Sequence, residues 1–440
     1  MRKLDAAAAA IFLLTGYLAY GQQPGPPPTV PAQPSLTLPD ATALALKNHP
    51  QISAAQNSAA SADQRIIQSK AAFYPTLNGE VTAAQGLSQS RLGAGALSAS
   101  QLFDRFGQGL QITQLVTDFG RRKNLVGQSQ FQAQAAAQNT QATIYDVILG
   151  VNRGYFGVLE AQAYVTVASE TVRARQTLTD QITALANANL KSELDVNFAA
   201  VNLSEAKLLL IRSQDAVDRA YADLARAIGQ DQATRYRLAD VASPGAPPAS
   251  PEPLIAEAIQ NRPELKNLQL QAQGAQSLEQ AEADLSRPSL SFIAVAGGLP
   301  YLGQDPRVAP YGYEGAALNL DIPIFNGHLF SARRQAAHLE AAAASDRVRN
   351  LRQQVERDVR TAWISASTAW QRLPVTEEFL KQAQLALELA QGRYNLGLAS
   401  IVEITQAQLN LTQAQIEKVS ATYEYQIANA QLLYTVGSLR

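Results

Sequence analysis

The sequence contains no cysteine. Disulfides, thiol catalysis, cysteine-ligated zinc and a lipidated N-terminal cysteine are therefore all excluded. Such a chain is compatible with an oxidising compartment. An excess of charge of one sign is missing as well. The 36 basic and 37 acidic residues leave a formal net charge of −1 over 440 residues, without the basic surplus that a nucleic-acid binder carries. There are only three histidines, and no Ser/His/Asp triad, zinc motif or pair of catalytic carboxylates emerges. Beyond the N-terminus, no segment approaches the ~18 uninterrupted apolar residues of a membrane-spanning helix. If the chain crosses a membrane, it does so with strands.

What is present is an apolar fraction of 46%, much of it alanine, together with abundant glutamine. That mixture favours long helices packed closely on one another. The start, "MRKLDAAAAAIFLLTGYLAYGQ", has Arg2 and Lys3, an apolar run from Ala6 to Leu18, then Ala19-Tyr20-Gly21. These are the n-region, h-region and small-residue cleavage pattern of a secretory signal peptide, assigned to residues 1–21, with Asp5 at the edge of the apolar run. A proline-rich linker follows at 22–35, and a second proline-rich break at 243–253 divides the chain.

The two sides of that break match. Pro50 and Pro263 are 213 positions apart, as are Pro75 and Pro288; Gly120 and Gly327 are 207 apart; Tyr155 and Trp363, and Gly229 and Gly437, are 208 apart. The matches in order indicate a tandem duplication, with a first repeat at 36–242 and a second at 254–440. In each, a short helix ends before Asn48-His49-Pro50 or Asn261-Arg262-Pro263, because the residue before proline resists the helical region. A second helix follows, and then the hydrophobic period changes to two. In "ALNLDIPIF", Leu318, Leu320, Ile322 and Ile324 alternate with Asn319, Asp321 and Pro323. One face of such a strand suits lipid and the other water. Strands are expected at about 75–90 and 106–119, and at about 288–299 and 313–326, joined by Gly- and Ser-rich loops at 91–101 and 300–312.

Long helical hairpins are expected at 121–228 and 328–437. The first helix of each approaches 70 residues, or roughly 100 Å at ~1.5 Å per residue; Pro374 is expected to kink the second one. The return helices carry heptads: Val196, Leu203, Leu210, Val217 and Leu224 with Ala199, Ala206, Ser213, Ala220 and Ala227, and Ile404, Leu411, Lys418, Tyr425 and Leu432 with Ala407, Ala414, Ala421 and Ala428. This is a coiled-coil seam whose small-residue layer allows close helix approach.

Four amphipathic strands cannot close a barrel, since spanning barrels have at least eight. An open sheet edge in lipid leaves backbone groups unsatisfied, so the strands must be shared between chains. On the start "LTLPDATALALKNHPQISAAQ", the joints "DFG" and "FNG", and "YNLGLASIVEITQAQLNLTQAQ" near the end, the sequence resembles the TolC-like outer-membrane efflux proteins from Leu36 to Gly437. The resemblance implies a mainly α protein with a membrane β-barrel: a homotrimer with a shared twelve-stranded barrel in the bacterial outer membrane and a long periplasmic α-helical barrel. It further implies a passive exit duct of a tripartite efflux pump or type I secretion system, docked to a periplasmic adaptor and an inner-membrane transporter, with no cofactor.

By the same resemblance, the hairpin turns form a closing aperture. Asp195, Glu403 and Gln406 fall on its acidic positions, with Gln406 in place of a carboxylate. Tyr394 matches a tethering tyrosine, while Ala399 stands where a family arginine can stand. An acidic residue near a helix N-terminus is also stabilising in its own right. The turns Leu190-Lys191-Ser192 and Gly397-Leu398-Ala399-Ser400 are where an adaptor is expected to dock. His328 and His338, ten residues apart with Glu340 nearby, are expected to be solvated helix residues, and Trp363 and Trp370 to pack. "GAGALS" and "GQGLQI" lack the lysine and following helix of a phosphate loop. Two other classes compete. One is a secreted coiled-coil scaffold or adhesive protein, which detergent-free solubility would favour. The other is an enzyme on a helical frame, which turnover would reveal.

Overall fold

The structure, a computed structural model, describes residues 34–84, 105–298 and 312–439. The signal peptide, most of the first linker and both strand-joining loops lie outside the described residues. The first half runs β1 (Ser35–Leu36), α1 (Leu38–Asn48), α2 (Pro50–Ala71), β2 (Thr76–Ala84), β3 (Arg105–Thr117), α3 (Arg121–Asn187) and α4 (Glu193–Ala227). After β4 (Arg237–Leu238), the second half runs α5 (Glu252–Asn261), α6 (Pro263–Ala283), β5 (Ser289–Gly298), β6 (Gly312–Asp321), α7 (Leu329–Asn395) and α8 (Ile401–Val436). A 3-10 turn, Asp284–Ser286, follows α6.

The proline signals act as the chemistry requires. His49 and Arg262 sit in extended conformations, with ψ 120° and 119°, and each ends one helix and begins the next. Pro374 does not break α7, which spans 67 residues like α3. Proline costs one backbone hydrogen bond. Just beyond it, the Thr376 hydroxyl donates to the carbonyls of Arg372 at 3.1 Å and Leu373 at 3.0 Å.

Among the described residues, β2, β3, β5 and β6 form one antiparallel sheet in that order. The register places Leu77 opposite Ile112, Ile112 opposite Ala294, and Leu318 opposite Phe292. The next row places Asn78 opposite Gln111 and Ser291 opposite Asn319. One face is therefore mostly aliphatic, with Gln108 and Glu314 among its leucines, and the other carries Asn78, Gln111, Ser291 and Asn319 beside Ile293 and Val295, an alternation that suits strands between lipid and water. Leu77, Val81, Leu110, Leu318 and Leu320 are all more than half exposed within the single chain. β6 ends at Asp321, five residues short of the expected 326: its partner β5 begins at Ser289, and Pro323 has no N–H to donate. Among the described residues, β2 and β6 each have a partner on one side only.

Below the sheet, α2, α3, α6 and α7 lie side by side, and the hairpins α3/α4 and α7/α8 extend from them. On the α4 seam Ala199, Leu203, Ala206, Ser213 and Leu224 are buried; on the α8 seam Ile404, Ala407, Ala414, Ala421, Tyr425 and Leu432 are buried. Lys418, the charged residue of that seam, forms an ion pair with Glu377.

The main apolar core lies midway, where α1 packs on α3 and α4 around Tyr155, Phe156, Val151, Leu224 and Ile228. The Tyr155 hydroxyl lies 3.0 Å from the Leu36 carbonyl and 2.7 Å from that of Ala239, and burial raises its pKa. The stretch between the repeats is strapped to this waist. Tyr221 donates to the Tyr236 carbonyl, Tyr425 to that of Gly245, and the Trp363 indole N–H to that of Pro248 at 2.8 Å. Trp363 thus anchors a loop in addition to packing. The expected linker is also shorter than 243–253, because α5 starts at Glu252. Trp370 packs on Tyr425, with ring centroids 5.1 Å apart.

Gly229 and Gly437 end equivalent helices with φ of 73° and 78°. A β-carbon on Gly229 would lie 2.9 Å from the His49 Cα. The left-handed conformation costs a non-glycine residue about 1–2 kcal/mol, and the clash adds about 1–3 kcal/mol. Gly229→Ala is expected to lower the thermal unfolding midpoint by several degrees. Gly245→Ala, where a β-carbon meets nothing within 4 Å, is expected to leave it unchanged. Equal midpoints would mean that this junction carries no packing constraint.

Candidate functional site: the paired hairpin turns

The two turns lie at the far ends of α3 and α7, about 100 Å from the sheet at ~1.5 Å per residue. Both are built alike. Asn189 and Gly397 take left-handed φ values of 60° and 74°. The Asn189 and Gly397 amides donate to Ala186 and Tyr394, and the Leu190 and Leu398 amides reach back to Leu185 and Arg393, at 2.8–3.0 Å. This is the Schellman arrangement, in which the residue after the left-handed one normally packs back on the helix. Here Leu190 and Leu398 do not: they are 69% and 66% exposed.

Ser192 and Ser400 then cap the return helices. In the first turn the cap is reciprocal: the Asp195 amide donates to the Ser192 hydroxyl at 3.2 Å, and the Ser192 amide to the Asp195 carboxylate at 3.2 Å. In the second turn the Glu403 amide donates to Ser400 at 3.4 Å. The Glu403 carboxylate turns instead to Arg393, 3.0 Å away. Gln406 is exposed and donates to Asn410 on its own helix at 2.9 Å. Ala399 is partly buried beside Tyr394.

Tyr394 is the point where the two hairpins meet. It is buried with Leu178 and Ile182 of α3, Ala199 of α4, and Ile401 and Ile404 of α8. Lys191 from the other turn holds its ammonium 4.6 Å from the ring centre, a cation–π contact between hairpins. Asp195 and Glu403 sit one turn into their helices on either side of this junction.

Sequence reasoning missed three further residues. Arg393 pairs with Glu403 and donates to the Leu398 carbonyl at 3.3 Å, so it fastens the second turn. Arg175, buried within the first hairpin, donates to the Asn202 carbonyl at 2.7 Å and lies 3.6 Å from Glu205; burial lowers its pKa. Thr412 joins the hairpins across a buried 3.3 Å contact with Thr171. Nothing in a helical repeat separates such residues from the many exposed arginines and threonines of the same helices.

The histidines do not form a site. His328 precedes α7 in a left-handed conformation, not in the helix as expected, and His338, within α7, lies 2.9 Å from Glu279 of α6. Among the described residues no group of three or more His, Asp or Glu side chains is placed to hold a metal ion.

A family model described as outer membrane efflux protein matches residues 42–230 and 254–438. The outer membrane protein TolC of Salmonella enteritidis is 23% identical over 345 residues, covering 75% of this chain and 68% of that one. The outer membrane efflux protein BepC of Brucella suis biovar 1 is 21% identical over 436 residues, covering 98% and 90%. In fold, the chain matches the Campylobacter jejuni CmeC outer membrane channel with a TM-score of 0.79 at 16% identity, over 91% of this chain and 85% of that one.

Proposed function

From the premise that this chain belongs to the outer membrane efflux protein family, we propose that it assembles as a trimer whose hairpin turns form a closable, adaptor-docking end. The chain is an outer-membrane efflux channel with its helical part in the periplasm, and it transports without catalysing a reaction. Energy for export therefore comes from its pump partners. The observation that carries the assembly is the sheet: four strands, apolar on one face, with β2 and β6 open. Backbone groups at those edges cannot remain unpaired in hydrocarbon. Three copies supply twelve strands and leave no edge.

At the other end, Tyr394 clamps the hairpins together, and Asp195, Glu403 and Gln406 line the aperture around it. Arg393 holds Glu403 from within its own hairpin and stands in for the absent arginine at Ala399. The adaptor docks on Leu190-Lys191-Ser192 and Gly397-Leu398-Ala399-Ser400. What supports that role is the exposure of Leu190 and Leu398, two large apolar side chains left out of the hairpin core and available as anchors.

The test is complementation. Cells lacking the protein are expected to regain export, read as resistance to the pump's cargo, when the wild type is restored. Leu190→Glu/Leu398→Glu is expected to leave them as sensitive as the deletion, with trimer abundance unchanged. Full resistance with the double variant would remove the turns from the docking surface.

A further inference from the structure

We propose that a cleft at the foot of the sheet binds the headgroup of an anionic phospholipid in the periplasmic leaflet of the outer membrane. The cleft, with a volume of about 670 Å³, lies between the end of α2 and the start of α3; Lys70, Phe73, Tyr74, Lys123, Gly127 and Gln130 line it with Asn124 and Val126. Two lysines and no acidic residue line it.

Its position in the wall follows from helix geometry. A wide groove crosses α2, α3, α6 and α7 and takes Gln128, Gln132 and Asn139 from α3. Four side-by-side helices that share one groove curve around it, so the groove lies on the concave, inner wall. At 100° per residue, Lys123, Gly127 and Gln130 point away from that face. The cleft therefore opens on the outer wall.

Its depth follows from the chain. Tyr74 lies two residues before β2, whose Leu77 and Val81 belong to the apolar face. Lys123 lies six residues after the end of β3. The cleft is thus where hydrocarbon gives way to headgroups. Within the single chain Phe73 and Tyr74 are 45% and 69% exposed, and aromatic residues are enriched at membrane interfaces.

The site is also held in shape. The Arg122 guanidinium stacks 4.6 Å from the Phe73 ring centre. It donates to the carbonyls of Ala72 and Leu115 at 2.8 Å each, and to that of Val116 at 3.1 Å. Helix, strand and aromatic wall are locked together behind the two lysines. Two ammonium groups without an acid favour a headgroup with net negative charge over a zwitterionic one, whose own ammonium would find no partner here. The second repeat does not reproduce the feature. Its equivalent positions hold Ala283, Ser286, Arg287 and Phe330, so each chain offers one site.

The inference rests on the outer-membrane placement and not on the gate or the docking turns. It is tested by native mass spectrometry of the assembled protein, titrated with phosphatidylglycerol, with phosphatidylethanolamine of the same acyl chains, and with inorganic phosphate. Phosphatidylglycerol is expected to bind up to one lipid per chain, more tightly than phosphatidylethanolamine. Lys70→Gln/Lys123→Gln is expected to weaken it about thirty-fold, the effect of two basic contacts at an anionic surface. Phe73→Ala/Tyr74→Ala is expected to weaken lipid binding and leave phosphate binding unchanged. The assembly mass in the same spectra reports whether each variant is intact. Equal binding of the two lipids, or undiminished binding by the intact lysine variant, would overturn the proposal. So would displacement of the lipid by millimolar phosphate, which would make this a free-anion site.

Discussion

Leu110→Arg is expected to abolish assembly in the membrane, while Gln111→Arg, one residue along the same strand, is expected to assemble and export normally. Leu110 is 56% exposed on the aliphatic face of β3, in the interior of the sheet with β2 and β5 on either side. Arginine on the lipid face near the bilayer midplane costs about 2–4 kcal/mol per copy, and every further copy in the proposed assembly adds the same cost. Gln111 faces the polar side, in line with Asn78, where an arginine remains in water. The measurement is the yield of heat-resistant oligomer in outer-membrane fractions. Equal yields of the two variants would mean that the faces have been assigned the wrong way round.

Tyr394→Ala is expected to raise ion conductance in planar bilayers by tenfold or more over a wild type expected to conduct little at rest. The substitution removes a buried ring from a cluster that joins α3, α4 and α8, and with it the seat of the Lys191 ammonium. Truncating a buried aromatic side chain costs about 3–5 kcal/mol. Here that loss falls on the contact between hairpins that is proposed to part when the aperture opens. Asp195→Ala is expected to open the channel less, because its carboxylate chiefly caps α4. Glu403→Ala is expected to fall between the two, since it releases Arg393 but leaves the Tyr394 cluster in place. Unchanged current in all three variants would remove the aperture from this end of the molecule.

Much of this architecture is legible in the amino-acid order because it rests on periodicity. Alternation of Leu318 and Leu320 with Asn319 marks a strand with one face in lipid. Proline at 50 and 263 marks helix junctions. Sevenfold spacing from Val196 to Leu224 marks the inner face of a hairpin. Each signal is local and survives without knowledge of what packs opposite.

What stays hidden is the identity of partners. Trp363 shows an apolar ring at a helical spacing, but not that its N–H reaches Pro248, 115 residues away. His338 shows a titratable side chain in a helix, but not that Glu279 of α6 faces it. Arg393 and Arg175 are two among many arginines until the fold sets Glu403 and Asn202 beside them. At the turns, sequence marks Gly397 as suited to a left-handed residue. That Asn189 adopts the same conformation in the first copy is a weaker signal, since asparagine is the next most tolerant residue there.

The central claim is that this chain cannot satisfy its own sheet edges in a membrane and closes its wall with copies of itself. The most direct measurement is the mass of the detergent-extracted particle by light scattering, corrected for bound detergent. Three chains per particle, with precipitation when detergent is withdrawn, is the predicted result. A single chain that remains dissolved in water without any amphiphile would contradict it.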